Sequence, residues 1–137
     1  MGKADMAGNT PLHLAAYQGN LAGLKELLAK PGVAIDAPEK RGLTPLMLAA
    51  GSHHPEAVKL LLESGANPNL QSREGTTALH KACASGDLKT ADMLLTAGAN
   101  PSAVDANGRT PGQVAEHYQQ GDWSAVLDRL KARQANK

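Results

Sequence analysis

The sequence predicts an all-α solenoid of four stacked helix-turn-helix units, and three observations carry that expectation. The phrase GNTPLHLAA returns as GLTPLMLAA, GTTALHKAC and GRTPGQVAE, with 34, 33 and 33 residues between successive threonines at Thr10, Thr44, Thr77 and Thr110. A fixed step of this size is the mark of stacked supersecondary units. Each copy also carries helix start signals followed by apolar residues at i, i+3 and i+4. The helices so delimited, about eight to ten residues long, fall below the roughly 12 to 15 at which an isolated helix becomes marginal in water, so their stability must be collective along a stack.

The elements follow in order within each copy. Gly8, Gly42, Gly75 and Gly108 stand two residues before the threonine and supply a turn position suited to positive φ. The threonine is a good N-cap, and Pro11, Pro45 and Pro111 follow it at the first helical position. Leu12, Ala15 and Ala16 then define one face of the first helix, matched by Leu46, Ala49 and Ala50 and by Leu79, Ala82 and Cys83. Small residues there let neighbouring helices approach closely. A second helix starts near Asn20, Pro55, Asp87 and Asp122, and its leucines include Leu24, Leu27 and Leu28. Glycines such as Gly65 and Gly98 stop it. The last copy departs from the pattern: Gly112 replaces the core leucine, Gln113 the histidine, and WSAVLDRLKARQ the paired leucines, with Trp123 and Leu130 expected to cover the final helix pair as a cap.

Composition narrows the function classes. The 137 residues include 14 basic and 13 acidic side chains, a formal net charge of +1, too balanced to predict nucleic-acid or membrane binding from bulk charge. No apolar run approaches the roughly 18 residues that a bilayer demands. One cysteine, Cys83, excludes an intrachain disulfide framework and suits a reducing cytoplasm or nucleus. The chain lacks GxGxxG, P-loop, HExxH and GxSxG motifs. His53 and His54 lack the recurring spacing of a zinc site and read as a solvated turn, and Cys83 reads as a small core residue. No enzyme activity, cofactor or metal is expected.

These residues resemble a known family. GNTPLHLAAYQGN with the later LLESGAN and LLTAGAN is similar to the ankyrin repeat, whose signature is a TPLHxAA helix start and a leucine-rich second helix ending in Gly-Ala. The resemblance covers residues 5–130 as a single domain, in repeats of about 5–37, 38–70, 71–103 and 104–130, followed by a polar tail at 131–137. It implies a non-catalytic scaffold or adaptor, monomeric and cytoplasmic or also nuclear, that binds a protein partner through a concave face. Alternatives are an inhibitor that blocks a partner enzyme's site, as the ankyrin inhibitors of cyclin-dependent kinases do, and a fragment of a larger ankyrin protein; against the former, the first helix of the second repeat is complete here. The resemblance also assigns His13 and His80 a structural role, hydrogen-bonding the turns that join repeats, beside the capping residues Thr10, Thr44, Thr77 and Thr110.

The expected binding face is independently legible in two columns of the first helices. Leu14, Leu48, Lys81 and Val114 form one, and Tyr17, Gly51, Ala84 and His117 the next. A lysine among apolar residues marks a side open to water, because a buried unpaired lysine is costly. The turn tips ahead of these helices vary more and count four basic residues against one acidic. In the family that the chain resembles, the turn tips and the exposed side of the first helix form the concave binding surface, which implies a candidate surface of Tyr17, Gln18, Lys40, Arg41, Leu43, Arg73, Glu74, Thr76, Lys81, Asn107, Arg109, His117 and Tyr118. Lys40, Arg41, Arg73 and Arg109 would suit an acidic or phosphorylated segment of the partner; the same charges would also serve simply to keep the turns soluble.

Overall fold

A computed structural model of the chain describes residues 8–118 together with Asp128 and Ala132. The described residues contain seven helices and no strand. The first helices of the repeats are α1 (Pro11–Gln18), α3 (Pro45–Gly51), α5 (Ala78–Ser85) and α7 (Pro111–Tyr118), and the second helices are α2 (Leu21–Leu28), α4 (Pro55–Glu63) and α6 (Leu88–Thr96). At seven to nine residues they are slightly shorter than the spacing predicts, and α3, at seven, is the shortest. The first helices pack on one another in sequence order, α1 on α3, α3 on α5 and α5 on α7, while α2, α4 and α6 form a parallel outer layer.

Each helix begins where the sequence places its cap. The side chains of Thr10, Thr44 and Thr77 accept the N–H three residues on, and Asn20 and Asp87 do the same for α2 and α6. Proline at the first helical position costs nothing there because its missing N–H has no intrahelical acceptor. The core runs between the two layers. Leu24, Leu46, Leu61, Leu79 and Leu94 are fully buried, and the paired small residues Ala15–Ala16, Ala49–Ala50 and Ala82–Cys83 bring the first helices together. Burying one leucine contributes roughly 1.5 to 3 kcal/mol, and the helices of each repeat pack on those of the next as well as on each other.

The turns are stitched together as tightly as the helices. Arg73 donates its N–H to the Arg41 carbonyl at 2.9 Å, and Ala106 donates to the Glu74 carbonyl at 2.7 Å, so consecutive tips hydrogen-bond along the stack. Gly42 makes that approach possible: its φ is +81°, and a Cβ there would lie 2.9 Å from the Arg73 nitrogen. On the outer side, Asn100 donates its N–H to the Asn69 side-chain oxygen at 2.7 Å, and Asn67 donates to the Asp36 carboxylate at 3.1 Å. The helix start at Asp122 and the cap expected from Trp123 and Leu130 lie outside the described residues.

Candidate protein-binding groove

Side-chain oxygens that the sequence pattern left unremarked fix the turn tips. Glu39 is 4% exposed, and one of its carboxylate oxygens accepts the N–H groups of Arg41 and Leu43 while the other takes Arg41 Nε at 3.0 Å. Ser72 does the equivalent work in the third repeat, accepting from Glu74 and Thr76, and Asp105 in the fourth, accepting from Asn107 and Arg109. Burial alone would raise the Glu39 and Asp105 carboxyls. The backbone N–H groups of Leu43 and Arg109, with the neighbouring positive charges, outweigh it and hold both below their ordinary values. The signal for this role was present, since all three stand three residues before a tip glycine, but three different residue types share it.

That arrangement corrects the charge count at the tips. Arg41 is ion-paired to Glu39, with a side chain that stays 68% exposed, and Arg109 lies beside Asp105. The tips are therefore closer to charge balance than four basic residues against one acidic. Lys40, Arg73, Glu74 and Asn107 are exposed, and Thr76 and Arg109 half-buried. Leu43 is corrected more sharply. At 5% exposure it offers no tip contact, because its N–H is held by Glu39 and its carbonyl by His13, which fold the side chain under the turn.

The two histidines lock one repeat to the next. His13 Nε2 lies 2.9 Å from the Leu43 carbonyl, and His80 Nε2 2.9 Å from the Arg109 carbonyl. A carbonyl can only accept, so Nε2 carries the proton, and Nδ1 is left to accept the N–H of Thr10 at 3.0 Å or of Thr77 at 3.1 Å. Burial pushes the His80 imidazole below its ordinary value, against the opposing pull of the Arg109 carbonyl and the Asp105 carboxylate. Gln113 reproduces the capping half of this arrangement, its side-chain oxygen accepting the Thr110 N–H at 2.9 Å. Burial likewise pushes the Cys83 thiol up to about 12, which leaves it protonated and unreactive.

The columns along the first helices are open to solvent over three repeats. Leu14 is 44% and Tyr17 59% exposed; Leu48 and Lys81 are half-buried, and Gln18, Gly51, Ala84 and His117 exposed. Val114 differs, at 5% exposure. Between the helices and the tips lies a depression of about 380 Å³ that brings together Tyr17, Arg41, Leu43 and Lys81 from the expected surface. The other predicted residues do not line this depression, and the Tyr118 side chain lies outside the described residues. Leu14 and Tyr17, one helical turn apart, continue the apolar side of the depression toward the first repeat.

A stack of first helices and turn tips with a solvent-open inner face defines a repeat protein of the ankyrin class. The chain matches the family described as ankyrin repeats (3 copies) over residues 1–72 and 64–123, and it belongs to that family. Among curated proteins it is similar to the poly(ADP-ribose) polymerase tankyrase of Caenorhabditis elegans, 44% identical over 63 residues, which are 44% of this chain and 3% of that protein. It is 42% identical over 59 residues to the human DNA-binding protein RFXANK, covering 43% of this chain and 23% of the relative. The human B-cell lymphoma 3 protein is 41% identical over 69 residues, 48% of this chain and 15% of its own length. The chain thus spans under a quarter of these relatives, and the tankyrase match covers too little of that enzyme to bring any catalytic machinery with it. Ankyrin repeats generally mediate protein–protein interaction. No helix among the described residues is long and apolar enough to cross a membrane.

Proposed function

We propose that the chain is a non-catalytic protein-interaction module, monomeric and cytoplasmic or nuclear, that takes its partner on the groove formed by the first helices and the turn tips. The observation that carries this reading is the exposed pair Leu14 and Tyr17 beside a depression edged by Arg41 and Lys81. Exposed apolar side chains next to cations serve a partner with apolar and acidic groups, whereas the outer helices α2, α4 and α6 turn mixed charges such as Lys59, Glu63 and Lys89 to solvent.

Affinity capture followed by mass spectrometry tests it with three baits: the wild type, Leu14→Glu/Tyr17→Ala on the groove, and Lys59→Glu/Lys89→Glu on the outer layer. A partner retained by the wild type and the outer-layer variant but lost from the groove variant supports the reading. Loss from the outer-layer variant alone moves the binding surface to the convex side.

A further inference from the structure

The groove narrows to one specific feature at Gly51. Along the second column the other repeats place Tyr17, Ala84 and His117, so only the second repeat has no side chain there. Beneath the gap lie Leu43, Met47 and Leu48, an apolar floor. The stem of Lys81 forms one wall, its Cδ 3.5 Å from where a Cβ on Gly51 would stand. The Tyr17 ring and Arg41 lie at the other edges.

The charge in this notch is unbalanced. Lys81 is half-buried, yet no carboxylate lies within ion-pair distance of its ammonium among the described residues. Arg41 meets Glu39 through Nε, and a guanidinium carries further N–H donors on its two terminal nitrogens. The Lys81 stem lies along the notch while its ammonium has no carboxylate partner among the described residues, so a carboxylate arriving between Lys81 and Arg41 meets two cationic donor groups. The volume, about 380 Å³, is at the low end of the range for ligand sites, enough for one large side chain and its flanking backbone.

We propose that the Gly51 notch is a subsite for an extended segment of a partner protein, which lays one large apolar side chain over Gly51 and sets a carboxylate, from an adjacent Asp or Glu, between Lys81 and Arg41. The proposal rests on the groove reading above and narrows it from a face to a side-chain pair. Gly51 is the last residue of α3 and is exposed, and a Cβ there meets only the flexible Lys81 stem at ordinary contact distance. Gly51→Leu therefore fills the notch while favouring the helix, since glycine is the weaker helix former.

The probe is a displayed library of random peptides selected on the full chain, with the consensus peptide then synthesised and titrated by fluorescence anisotropy. The expected consensus pairs a large apolar residue with Asp or Glu. Its affinity should fall about tenfold or more in Gly51→Leu, with an undiminished melting temperature, and in Lys81→Met. Replacing the acidic residue of the peptide by Asn should weaken it similarly. A peptide that binds only with phosphoserine at that position overturns the carboxylate assignment, and a library that yields no consensus overturns the subsite. If Gly51→Leu binds as well as the wild type while Arg73→Glu does not, the notch is wrong and the groove reading stands. If Leu14→Glu/Tyr17→Ala, Arg73→Glu and Gly51→Leu all bind normally, both fail.

Discussion

The second repeat solves the same problems as the first and third with different residues. His13 and His80 each accept an N–H from their own cap and donate to the carbonyl of the following turn. In the second repeat Met47 fills that position at 1% exposure. The three turn carbonyls differ accordingly. Leu43 and Arg109 each take a loop N–H, from Glu39 and Asp105, and an imidazole as well, whereas Thr76 takes the Ser72 N–H at 2.8 Å with no imidazole above it. The buried Thr44 N–H likewise lacks the imidazole acceptor that serves Thr10 and Thr77, so the second repeat forgoes both bonds of the histidine. Stacking therefore does not require the histidine: one junction is held by packing where its neighbours are held by packing and hydrogen bonds. Two further departures fall in the same repeat, Gly51 in the notch and His53 at the position of Gly19 and Gly86.

If the middle junction relies on packing, its methionine should be the costliest of these residues to truncate. Met47→Ala is expected to destabilise by about 2 to 5 kcal/mol in denaturant unfolding, through lost burial and the cavity left behind. A loss below about 1 kcal/mol would mean that α3 and α5 collapse onto the gap, and the distinction between the junctions would weaken. The mirror experiment is His80→Met, which preserves bulk but strands the buried Thr77 N–H. It should cost about 1 to 3 kcal/mol, the range for a buried donor left without an acceptor. A neutral result would show that the third repeat is as content with packing as the second.

The same residue predicts a pH dependence, smaller in size. The His80 imidazole is held below its ordinary 6.5 by burial, so the unfolded chain binds the proton more readily than the folded one. Stability from this site is fully present above about pH 6.5 and is lost as pH falls through the lower folded value. The physical cause is concrete, because a proton on Nδ1 would set a donor against the Thr77 N–H. Glu39 and Asp105 act in the same direction at lower pH, below their ordinary 4.5 and 3.8. Subtracting the stability profile of His80→Met from that of the wild type should isolate a component that rises with pH through the weakly acidic range. A flat difference would remove the histidine from the pH response.

Much of this was legible in the sequence, for reasons that differ by residue. The helix starts follow from Thr-Pro pairs and leucine spacing because capping is local chemistry, confined to three or four residues. The turn-tip acceptors Glu39, Ser72 and Asp105 were hidden because an oxygen acceptor is what the site requires, and a carboxylate or a hydroxyl supplies it equally. The pairing of Arg41 with Glu39 follows from that turn, so the apparent basic ladder could be corrected only once the turn was known. Leu43 looked like another variable tip residue, and its burial depends on His13, 30 residues earlier. The Gly51 notch needed both columns side by side with the floor beneath them, since an absent side chain becomes a feature only against its neighbours.

The smallest effect is expected at His53, where the second repeat departs from its neighbours in backbone conformation. Gly19 and Gly86 close α1 and α5 in the left-handed region, at φ +69° and +76°, and His53 occupies the same position at φ +60°, the only non-glycine residue with positive φ among those described. A residue with a Cβ is strained there, while glycine is not but loses more freedom on folding. The His53 side chain recovers little, being 60% exposed with Nδ1 4.0 Å from the Asp87 carboxylate, and exposed pairs contribute little. His53→Gly should therefore stabilise the protein by roughly 0.5 to 1 kcal/mol, relief of strain exceeding the entropic cost. Thermal unfolding of the variant against the wild type checks it. A gain supports strain as the governing term, whereas a loss would show that the His53–Asp87 contact outweighs it, and that the second repeat trades backbone comfort for that contact.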